Sequence, residues 1–426
     1  MYQAVRGTSD ILPEEQPYWR YVEKVIDNVT QIYRYQRIDT PIFEETSLFR
    51  RSAGEYTDVV QKEMYTFEDR GGNSLTLKPE GTPSVCRAYI QHGFHNLPQP
   101  VKLYYISPIF RYDRPQAGRY RQHYQFGCEA IGDDDPALDA EVIGMACQFY
   151  RSLGLQNISL NLNSIGCKKC RPGYLSVLRD YYAGHTSGLC PDCKTRLDKN
   201  PLRLLDCKQP SCQPLADSAP ISTDHLCNRC HEHFAQLQKY LGLREIPFAL
   251  DHRLVRGLDY YTRTVFEIQP EDEGGQSTIG GGGRYDDLIE ELGGKPTPAI
   301  GFATGIERII LNLKKQNVNI HTQTPTPTTT GLRAFITYLG DPARDEAVKF
   351  TASLQQAGTS AAMATGVKSL KAQLRQANSL GAQYAVIIGE DEVNAGTAIL
   401  RHMADARQEI LPRDVVKFNL SSSAST

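Results

Sequence analysis

The stretch YYISPIFRYDRPQAGRYRQHYQFGCEAIG, residues 104–132, indicates the fold more directly than any other part of the chain. Two extended segments flank a loop that contains Arg, Pro and Gly, which predicts a long antiparallel hairpin. Because side chains alternate across a strand, the returning segment has two different faces. One face is expected to build core and carries Tyr120, Tyr124, Phe126 and Cys128. The other carries Arg121, His123, Gln125 and Glu129, and its varied polar types beside several arginines favour an anion site over an ordinary solvated surface.

The composition is that of a globular protein with almost balanced charge. The 426 residues include 47 Lys and Arg against 49 Asp and Glu, a formal net charge of −2. This length suits two or three domains, and any nucleic acid must be bound by local basic patches rather than by a basic whole. The chain has no apolar run of 18 residues, and residues 1–6 resemble neither a signal peptide nor a presequence. We therefore expect a cytoplasmic protein without a membrane segment.

Cysteines are concentrated in the middle of the chain, where eight of the eleven lie between residues 167 and 230. They form the pairs Cys167/Cys170, Cys190/Cys193, Cys207/Cys212 and Cys227/Cys230. The first two pairs have the Cys-x-x-Cys spacing of structural zinc sites, so we predict one zinc ion held by Cys167, Cys170, Cys190 and Cys193. The alternative is that these are ordinary thiols. Disulfides are not expected without a signal peptide.

The hydrophobic pattern predicts further elements of the first 320 residues. Apolar residues recur at helical spacing over residues 18–33, and helices are also expected at 139–153 and from Ile306 onward. Strands are expected at 36–45, 158–163, 265–268 and 299–303. The strand at 36–45 contains Pro41, which places it at an edge or bend such as a subunit boundary.

A Thr/Pro-rich stretch at residues 322–330 predicts a linker. After it, strands at 332–338, near 360 and at 384–388 alternate with helices at 343–357 and 370–380. This alternation predicts a small α/β unit with a largely parallel sheet. Lys368, Lys371 and Arg375 lie at helical spacing in this unit and fit a solvated helix face better than an RNA contact.

Four other short segments carry residue types suited to chemistry. They are KPEGT (78–82), LVRGLDYY (254–261), the tetraglycine 280–283 and GFATGIER (301–308). The tetraglycine does not match the dinucleotide-binding or phosphate-loop patterns. Arg308 falls in the first turn of a helix, where the helix dipole disfavours a cation unless an anion binds there. Together the segments predict an arginine-lined, glycine-floored pocket for a polyphosphate and a small charged ligand.

These motifs resemble those of a known enzyme class. Phe110-Arg111 with its loop and return strand resembles the second signature motif of class II aminoacyl-tRNA synthetases, residues 301–308 resemble the third, and the Pro41 strand is compatible with the first. LVRGLDYY, together with RGTSD (6–10) and the RPQ-x-GRYRQ pattern (114–122), resembles the histidyl-tRNA synthetase family. The resemblance covers almost the whole chain. One departure is Lys78, where the family usually has arginine, so that charge is kept but bidentate geometry is lost.

The resemblance implies an α+β catalytic domain on a mixed, mainly antiparallel sheet at residues 1–321, with a Cys-rich insertion at about 167–235. A Thr/Pro linker at 322–330 and an anticodon-binding α/β domain at 331–426 would follow, in a homodimer. The implied activity serves protein biosynthesis: L-histidine and ATP give histidyl-adenylate and pyrophosphate, and histidine then passes to the 3′ end of tRNA-His.

The resemblance also implies roles for individual residues. Arg111 and Arg256 would hold the ATP α-phosphate and Arg308 the γ-phosphate, with Mg²⁺ on the pyrophosphate and with Arg119 and Arg121 as further ATP-binding residues. Histidine would be bound by Glu80, Gly81, Thr82, Arg111, Gln125, Glu129, Arg256, Tyr260 and Tyr261. Because all of these lie outside the insertion, loss of its metal is expected to leave adenylate formation intact.

Two alternative functions remain. A catalytically silent synthetase paralogue that regulates ATP phosphoribosyltransferase would tend to lose the arginines and the anticodon domain, both of which this chain keeps. A zinc-ribbon nucleic-acid-binding module would need basic and aromatic residues around the cysteines. The chain supplies few, namely Lys168, Lys169, Arg171 and Lys194.

Overall fold

The framework of the N-terminal unit is an eight-stranded sheet. In the computed structural model, which describes residues 2–55, 57–114, 118–270, 278–320, 332–364 and 368–422, the chain divides into two compact units, residues 1–318 and 319–426. The predicted Thr/Pro linker lies outside the described residues. Within the described part of the chain, no helix combines the length and apolar character needed to span a membrane.

The strands of the first unit are β1 (Gln36–Arg37), β2 (Phe43–Glu45), β3 (Thr66–Glu68), β4 (Ser74–Leu77), β5 (Val101–Phe110), β6 (Gln122–Ile131), β7 (Ile158–Ser164), β8 (Ala249–Leu250), β9 (Thr262–Pro270), β10 (Gly280–Arg284) and β11 (Ala299–Gly305). The large sheet has the order β1-β5-β6-β11-β10-β9-β7-β8, and β2-β4-β3 form a small second sheet. Only the outermost pairs of the large sheet, β1 with β5 and β7 with β8, are parallel. The expected mixed, mainly antiparallel sheet is therefore confirmed.

The α-helices of this unit are α1 (Gln16–Ile32), α2 (Thr46–Ala53), α3 (Thr82–Gln91), α4 (Pro136–Ser152), α5 (Arg171–Ala183), α6 (Pro191–Lys199), α7 (Gln213–Asp217), α8 (Asn228–Leu243), α9 (Leu288–Glu291) and α10 (Ile306–Lys315). Short 3-10 helices lie at Phe94–Asn96, Thr186–Gly188, Pro201–Leu204 and Ser222–His225, and a π-helical turn lies at Val59–Glu63. Helices α5 to α8 make up most of the cysteine-rich insertion.

The hairpin predicted from residues 104–132 is present as β5 and β6, which pair antiparallel along their whole length. Phe126 and Cys128 are fully buried, as the alternation predicts. The prediction for Tyr120 is wrong: it lies before β6, whose first residue is Gln122, and it lines a cavity instead of building core. The alternation of a strand does not extend into the loop that precedes it. The Pro41 segment is likewise split, because β1 is an edge strand of the large sheet whereas β2 belongs to the small one.

The tetraglycine forms β10, an interior strand of the sheet, rather than a loop. A Cβ atom on Gly282 would lie 2.0 Å from the carbonyl oxygen of Gly301 on β11. At Gly282 and Gly283 a side chain is excluded by the backbone of the neighbouring strand, whereas at Gly280 and Gly281 the space is taken by the side chains of Tyr150 and Arg256.

The second unit contains β12 (Ala334–Tyr338), α11 (Asp341–Gln356), β13 (Ala361–Met363), α12 (Leu370–Ser379), β14 (Tyr384–Ile388), α13 (Glu390–Ala395), β15 (Thr397–His402), β16 (Gln408–Pro412) and α14 (Arg413–Ser422). Its sheet has the order β13-β12-β14-β15-β16. The first three strands are parallel, as predicted, but β15 and β16 form an antiparallel extension that the sequence did not indicate. Strand β16 is mostly exposed, so it has no apolar face that a pattern could reveal.

A buried ion pair ties the helices to the large sheet. The side chains of Asp139 on α4 and Arg284 on β10 are 0 % exposed, and Arg284 Nε donates to Asp139 Oδ1 over 2.7 Å. The second carboxylate oxygen is bonded by Thr264 of β9 (2.7 Å) and lies 2.8 Å from His233 Nε2 of α8. Burial alone would raise the pKa of Asp139, but Arg284 and His233 hold it below its usual value. One carboxylate therefore joins α4, two strands and the insertion.

Replacing Asp139 with Asn should destabilise the first unit by about 3 kcal/mol, the lower end of the range for breaking a buried ion pair, because Arg284 would keep only Asp286 as a counter-charge. The measurement is urea unfolding followed by the fluorescence of Trp19, the single tryptophan of the chain. Asp39→Asn is the matched control, since Asp39 forms an exposed pair with Arg37 that is worth only about 0–1 kcal/mol. Equal effects of the two substitutions would contradict the role given to Asp139.

Candidate active site

A cavity of about 1110 Å³ lies over the polar face of the large sheet. Most of the predicted site residues meet on its wall: Glu80, Gly81, Thr82, Arg111, Arg119, Gln125, Glu129, Arg256, Tyr260, Tyr261 and Arg308. The exception is Arg121, which is not on the described wall but stacks on the Tyr112 ring at 3.8 Å. Like Tyr120, Arg121 precedes β6 and does not follow its alternation. The structure thus brings eleven of the twelve predicted amino-acid- and ATP-binding residues together.

Arg256 is held by a carboxylate that the sequence analysis missed. Its guanidinium forms an ion pair with Glu267 on β9, whose other oxygen accepts a 2.9 Å hydrogen bond from Thr278. Arg256 Nε is buried and has no partner among the described residues. A Cβ atom on Gly281 would lie 2.7 Å from Arg256 Nη1, so glycine in β10 leaves the space that the guanidinium occupies. The arginine is fixed in place and keeps a donor for a ligand.

Arg111 and Arg308 are fixed through backbone carbonyls. Arg111 Nε donates to Pro79 O (2.7 Å), and Arg308 donates to the carbonyls of Gly118 (2.9 Å) and Thr278 (2.6 Å). Neither contact neutralises the positive charge. Burial, together with these two arginines, lowers the pKa of His123 to about 3, so this histidine is neutral at physiological pH. The arginines therefore create a positive region that is ready for an anion.

Two buried carboxyl groups lie on the same wall. Burial raises the pKa of Glu80 to about 7, against the attraction of Arg111, and raises that of Glu129 to about 8. Glu80 Oε2 accepts from the Tyr260 hydroxyl (2.8 Å), and Glu129 accepts from Thr82 (2.7 Å) and Tyr285 (2.5 Å). These bonds hold both groups in defined positions. Each carboxyl group therefore keeps its proton to a higher pH than an exposed glutamate does.

Gly301 leaves the space that the Glu129 side chain occupies. A Cβ atom on Gly301 of β11 would lie 1.9 Å from Glu129 Oε2. The first glycine of the GFATGIER segment is thus required by the carboxylate on the facing strand.

Several buried polar atoms of the wall have no hydrogen-bond partner in the described part of the structure. They are Glu80 Oε1, the Tyr105 hydroxyl, Gln125 Oε1 and Arg256 Nε. Buried polar groups are nearly always paired, and an unpaired one costs roughly 1–3 kcal/mol. Their concentration on one cavity indicates that a polar ligand completes the hydrogen bonding.

Sequence reasoning missed Tyr105, Glu267, Thr278 and Tyr285. Glu267 was accessible in principle, because β9 alternates apolar Phe266 and Ile268 with polar Glu267 and Gln269, and both polar residues line the cavity. Tyr285 follows the tetraglycine and carries no comparable signal.

Lys78 lies off the described cavity wall. Its ammonium donates to the Thr40 hydroxyl (2.9 Å), and burial lowers its pKa to about 8. The lysine in place of the usual arginine therefore affects local packing, and the arginines of the cavity do not depend on it.

The cysteine set predicted to bind one zinc ion is wrong. The sulfur atoms form two separate groups, and each joins pairs that are distant in sequence: Cys167, Cys170, Cys227 and Cys230 in one, and Cys190, Cys193, Cys207 and Cys212 in the other. Helix α5 carries the chain away from the first pair, and the N-terminus of α8 brings the fourth pair back to it. Spacing identified the pairs but could not show which pairs meet.

The insertion also contributes to the cavity, although every residue predicted to bind histidine or ATP lies outside it. Cys190, Arg196, Leu205 and Cys207 lie on the wall. Arg196 forms a 2.9 Å ion pair with Asp58, and Asn200 donates to Asp259 (2.6 Å), which lies in the loop that carries Arg256. Arg171, directly after Cys170, donates to the carbonyl of Tyr261. Disorder in the insertion would therefore reach the site.

The sheet, the hairpin arginine and the helix-borne Arg308 define a class II aminoacyl-tRNA synthetase architecture. A family model described as histidyl-tRNA synthetase matches residues 7–169 and 211–309, and one described as an anticodon binding domain matches residues 333–420. The unmatched residues 170–210 fall within the insertion. The chain belongs to the histidyl-tRNA synthetase family.

Similar proteins agree with this assignment. The chain is 59 % identical over 414 residues to a histidine–tRNA ligase of Dehalococcoides mccartyi, covering 97 % of this chain and 98 % of the relative. It is 50 % identical to a histidine–tRNA ligase of Desulforamulus reducens, covering 97 % of each chain. A crystal structure of apo histidyl-tRNA synthetase from S. aureus superposes with a TM-score of 0.80 at 37 % identity, covering 99 % of this chain and 100 % of the other.

Glu129→Gln should change how stability depends on pH. Because burial raises the folded-state pKa of Glu129 to about 8, the unfolded chain loses this proton first, and the free energy of unfolding falls as pH rises from about 4.5 to about 8. The Gln variant lacks this titration, so its loss of stability between about pH 5 and 8.5 should be smaller by about 2–4 kcal/mol. Urea unfolding at the two pH values measures it. Exposed Glu23→Gln should keep the wild-type profile, and a Glu129→Gln profile identical to the wild type would refute the buried titration.

Proposed function

We propose that this protein is a histidine–tRNA ligase, which activates L-histidine with ATP and then esterifies the 3′ end of tRNA-His. The observation that carries the proposal is one cavity in which two buried carboxyl groups, Glu80 and Glu129, share a wall with Arg111, Arg256 and Arg308. A small amino acid with a basic side chain and a polyphosphate both find complementary groups there. Membership of the family supports the same assignment.

The first step joins the histidine carboxylate to the α-phosphorus of ATP, and pyrophosphate leaves. The attacking carboxylate is already ionised, so no protein base is needed. Negative charge develops on the α-phosphate oxygens, and Arg111 and Arg256 are the donors placed to stabilise it, while Arg308 binds the γ-phosphate. Because all three side chains are held by protein contacts before the ligand arrives, they need little reorganisation during the reaction.

Mg²⁺ would accompany ATP and neutralise the leaving pyrophosphate. Such an ion is bound mostly by phosphate oxygens with one or two carboxylates. Glu267 is the carboxylate beside Arg256 on the cavity wall and fits that role. Its contacts with Arg256 and Thr278 hold it in position.

Histidine would be recognised by two unpaired acceptors, Glu80 Oε1 and Gln125 Oε1, together with the buried carboxyl group of Glu129. Glu80 Oε1 and Gln125 Oε1 can accept from the α-ammonium group, and Glu129 can accept from an imidazole N–H, with Tyr261 beside it. An apolar amino acid of similar size would still offer its ammonium group to Glu80 and Gln125, but it would have no N–H for Glu129. A site built on hydrogen bonds rejects such analogues strongly, by up to about 10⁴–10⁵-fold.

In the second step, the terminal ribose hydroxyl of tRNA-His attacks the adenylate carbonyl and AMP leaves. The C-terminal unit, residues 331–426 as proposed here, would read the anticodon, and its match to an anticodon-binding family model supports this. The homodimer also stays a proposal. Ile42, Phe43 and Phe67 on the small sheet are each 43–45 % exposed, and a second copy of the chain would cover them.

A silent regulatory paralogue is the less favoured alternative, because the arginines are kept and sit on the cavity wall. Histidine-dependent exchange of pyrophosphate into ATP separates the two functions. A silent paralogue shows none. The cytoplasmic location remains a prediction.

Arg256→Ala should lower the rate of histidine-dependent ATP–pyrophosphate exchange by two to three orders of magnitude, or ~3–4 kcal/mol of transition-state stabilisation. Because the substitution also leaves Glu267 without its counter-charge, the unfolding midpoint is measured for the same variant, which should remain folded under the assay conditions. Arg229→Ala, which removes an exposed arginine of α8, is the control and should keep full activity. Exchange within tenfold of the wild type would remove Arg256 from the mechanism.

Gln125→Leu should raise the KM for histidine about 10- to 100-fold while the KM for ATP changes less than about twofold. Leucine keeps the size of the side chain but removes the acceptor for the ammonium group, and a hydrogen bond to a charged group is worth about 1.5–3 kcal/mol. Gln122→Leu, three residues earlier on the same strand and off the described wall, should leave both constants unchanged. Parallel increases in both constants would show that Gln125 shapes the cavity instead of binding histidine.

A further inference from the structure

We propose that the eight clustered cysteines hold two Zn²⁺ ions in two closed tetrathiolate sites. Zinc site 1 consists of Cys167, Cys170, Cys227 and Cys230, and zinc site 2 consists of Cys190, Cys193, Cys207 and Cys212. The two sites replace the single site expected from spacing. This inference goes beyond the ligase activity and does not rest on it.

The distances between sulfur atoms fit a tetrahedral ion. In zinc site 1 the Sγ–Sγ separations are 3.8 Å for Cys167–Cys170, 3.9 Å for Cys167–Cys227 and 3.8 Å for Cys170–Cys230. Tetrahedral Zn²⁺ with Zn–S bonds of about 2.3 Å requires S–S edges of about 3.8 Å. A disulfide would require about 2.05 Å. The sulfurs are therefore spaced for one shared ion and not for bonds to one another.

The sulfur atoms of zinc site 2 are also close enough to share one ion. Cys190 and Cys207 are 3.9 Å apart, and all four sulfurs lie within 4.8 Å of one another. Three of its four cysteines are buried. An all-sulfur donor set selects a soft ion such as zinc over magnesium or calcium, and four protein ligands leave no open coordination position, as in structural sites.

Backbone amides are already aimed at the sulfur atoms. Cys167 N donates to Cys170 Sγ (3.3 Å), Cys190 N to Cys212 Sγ (3.3 Å) and Cys193 N to Cys190 Sγ (3.4 Å). Hydrogen bonds of this kind orient ligand atoms around a metal. The same Cys-x-x-Cys turns thus supply both the ligands and their supporting hydrogen bonds.

The remaining cysteines show how isolated thiols are placed in this chain. Cys86, Cys128 and Cys147 are buried singly in helices and strands of the main unit, and none belongs to a cluster. Ordinary thiols would be expected to scatter in the same way. Four cysteine sulfur atoms within a few ångströms of one another are arranged as the ligands of one metal ion.

The short helices α6 and α7 would gain most from a metal. They have nine and five residues and are joined by irregular chain, so they bury little apolar surface of their own. The larger apolar side chains of the insertion, such as Leu178 and Tyr182, pack instead into the core of the first unit. Zinc site 2 links the N-termini of both helices, and zinc site 1 links those of α5 and α8. In each site, binding free energy becomes folding free energy.

The test is metal content per chain, measured by elemental analysis of full-length protein purified without chelator. The wild type should contain two equivalents of zinc, and the Cys147→Ser control should also contain two. Cys167→Ser/Cys230→Ser removes two ligands of one site and should leave one equivalent. Cys167→Ser/Cys190→Ser removes one ligand from each site and should leave none.

The double variants separate this pairing from the one that spacing suggested. If Cys167, Cys170, Cys190 and Cys193 shared an ion and the other four cysteines shared another, the two results would be reversed. That outcome overturns the proposed pairing. A wild type with no metal, or with iron in place of zinc, overturns the proposal altogether.

A measurement on the unaltered protein covers the case in which variants fail to fold. Titrating the wild type with an organomercurial reagent should release two zinc ions per chain as eight thiols react, detected with a zinc-binding dye. Cobalt-exchanged protein should show the visible absorption of tetrahedral thiolate-bound Co²⁺ at two equivalents. Thiols that react without releasing zinc would contradict the proposal.

Discussion

The buried pair of Asp139 and Arg284 is the interaction on which the catalytic unit depends. Arg284 ends the glycine strand β10, and Asp139 also receives Thr264 from β9 and His233 from the insertion. Two buried charges are costly unless each forms a full set of hydrogen bonds. The hydrogen bonds of this pair fix the relative positions of α4, β9, β10 and α8. Strands β9 and β10 in turn position Glu267, and Glu267 positions Arg256. A stability feature on one side of the sheet thus determines the geometry of the site on the other.

The site itself combines fixed cations with carboxyl groups whose charge is suppressed by burial. Arg111 and Arg308 are held by backbone carbonyls, which leave their positive charge uncompensated. Arg256 is held by one carboxylate, that of Glu267. Burial disfavours the ionised forms of Glu80 and Glu129 and raises their pKa values to about 7 and about 8. A ligand with an ammonium group would favour the ionised form of these carboxyls when it binds. Recognition and proton balance are therefore linked at the same residues.

The sequence predicted the parts of the structure that depend on local pattern. The alternation in residues 122–129 placed Gln125 and Glu129 on the cavity face because a strand has a strict period of two. The same reasoning failed for Tyr120 and Arg121, which precede the strand. Spacing showed that the cysteines come in pairs. Which two pairs meet depends on the path of the chain through α5 and α8, and this tertiary arrangement cannot be read from local spacing. Glu267 was within reach of pattern reasoning, whereas Tyr285 was not. Strands β15 and β16 escaped prediction because β16 has no buried face.

The contacts between the insertion and the cavity limit how freely this region can be exchanged among relatives. Arg196 is matched to Asp58, and Asn200 is matched to Asp259, although each pair joins the insertion to a segment far away in sequence. A chimaera that received a foreign segment at residues 167–235 would keep Asp58 and Asp259 but lose Arg196 and Asn200, which bind them. The insertion is therefore not a cassette. A segment exchanged between relatives would also have to include Asp259, in the loop before the paired tyrosines, and Asp58, in the turn after α2.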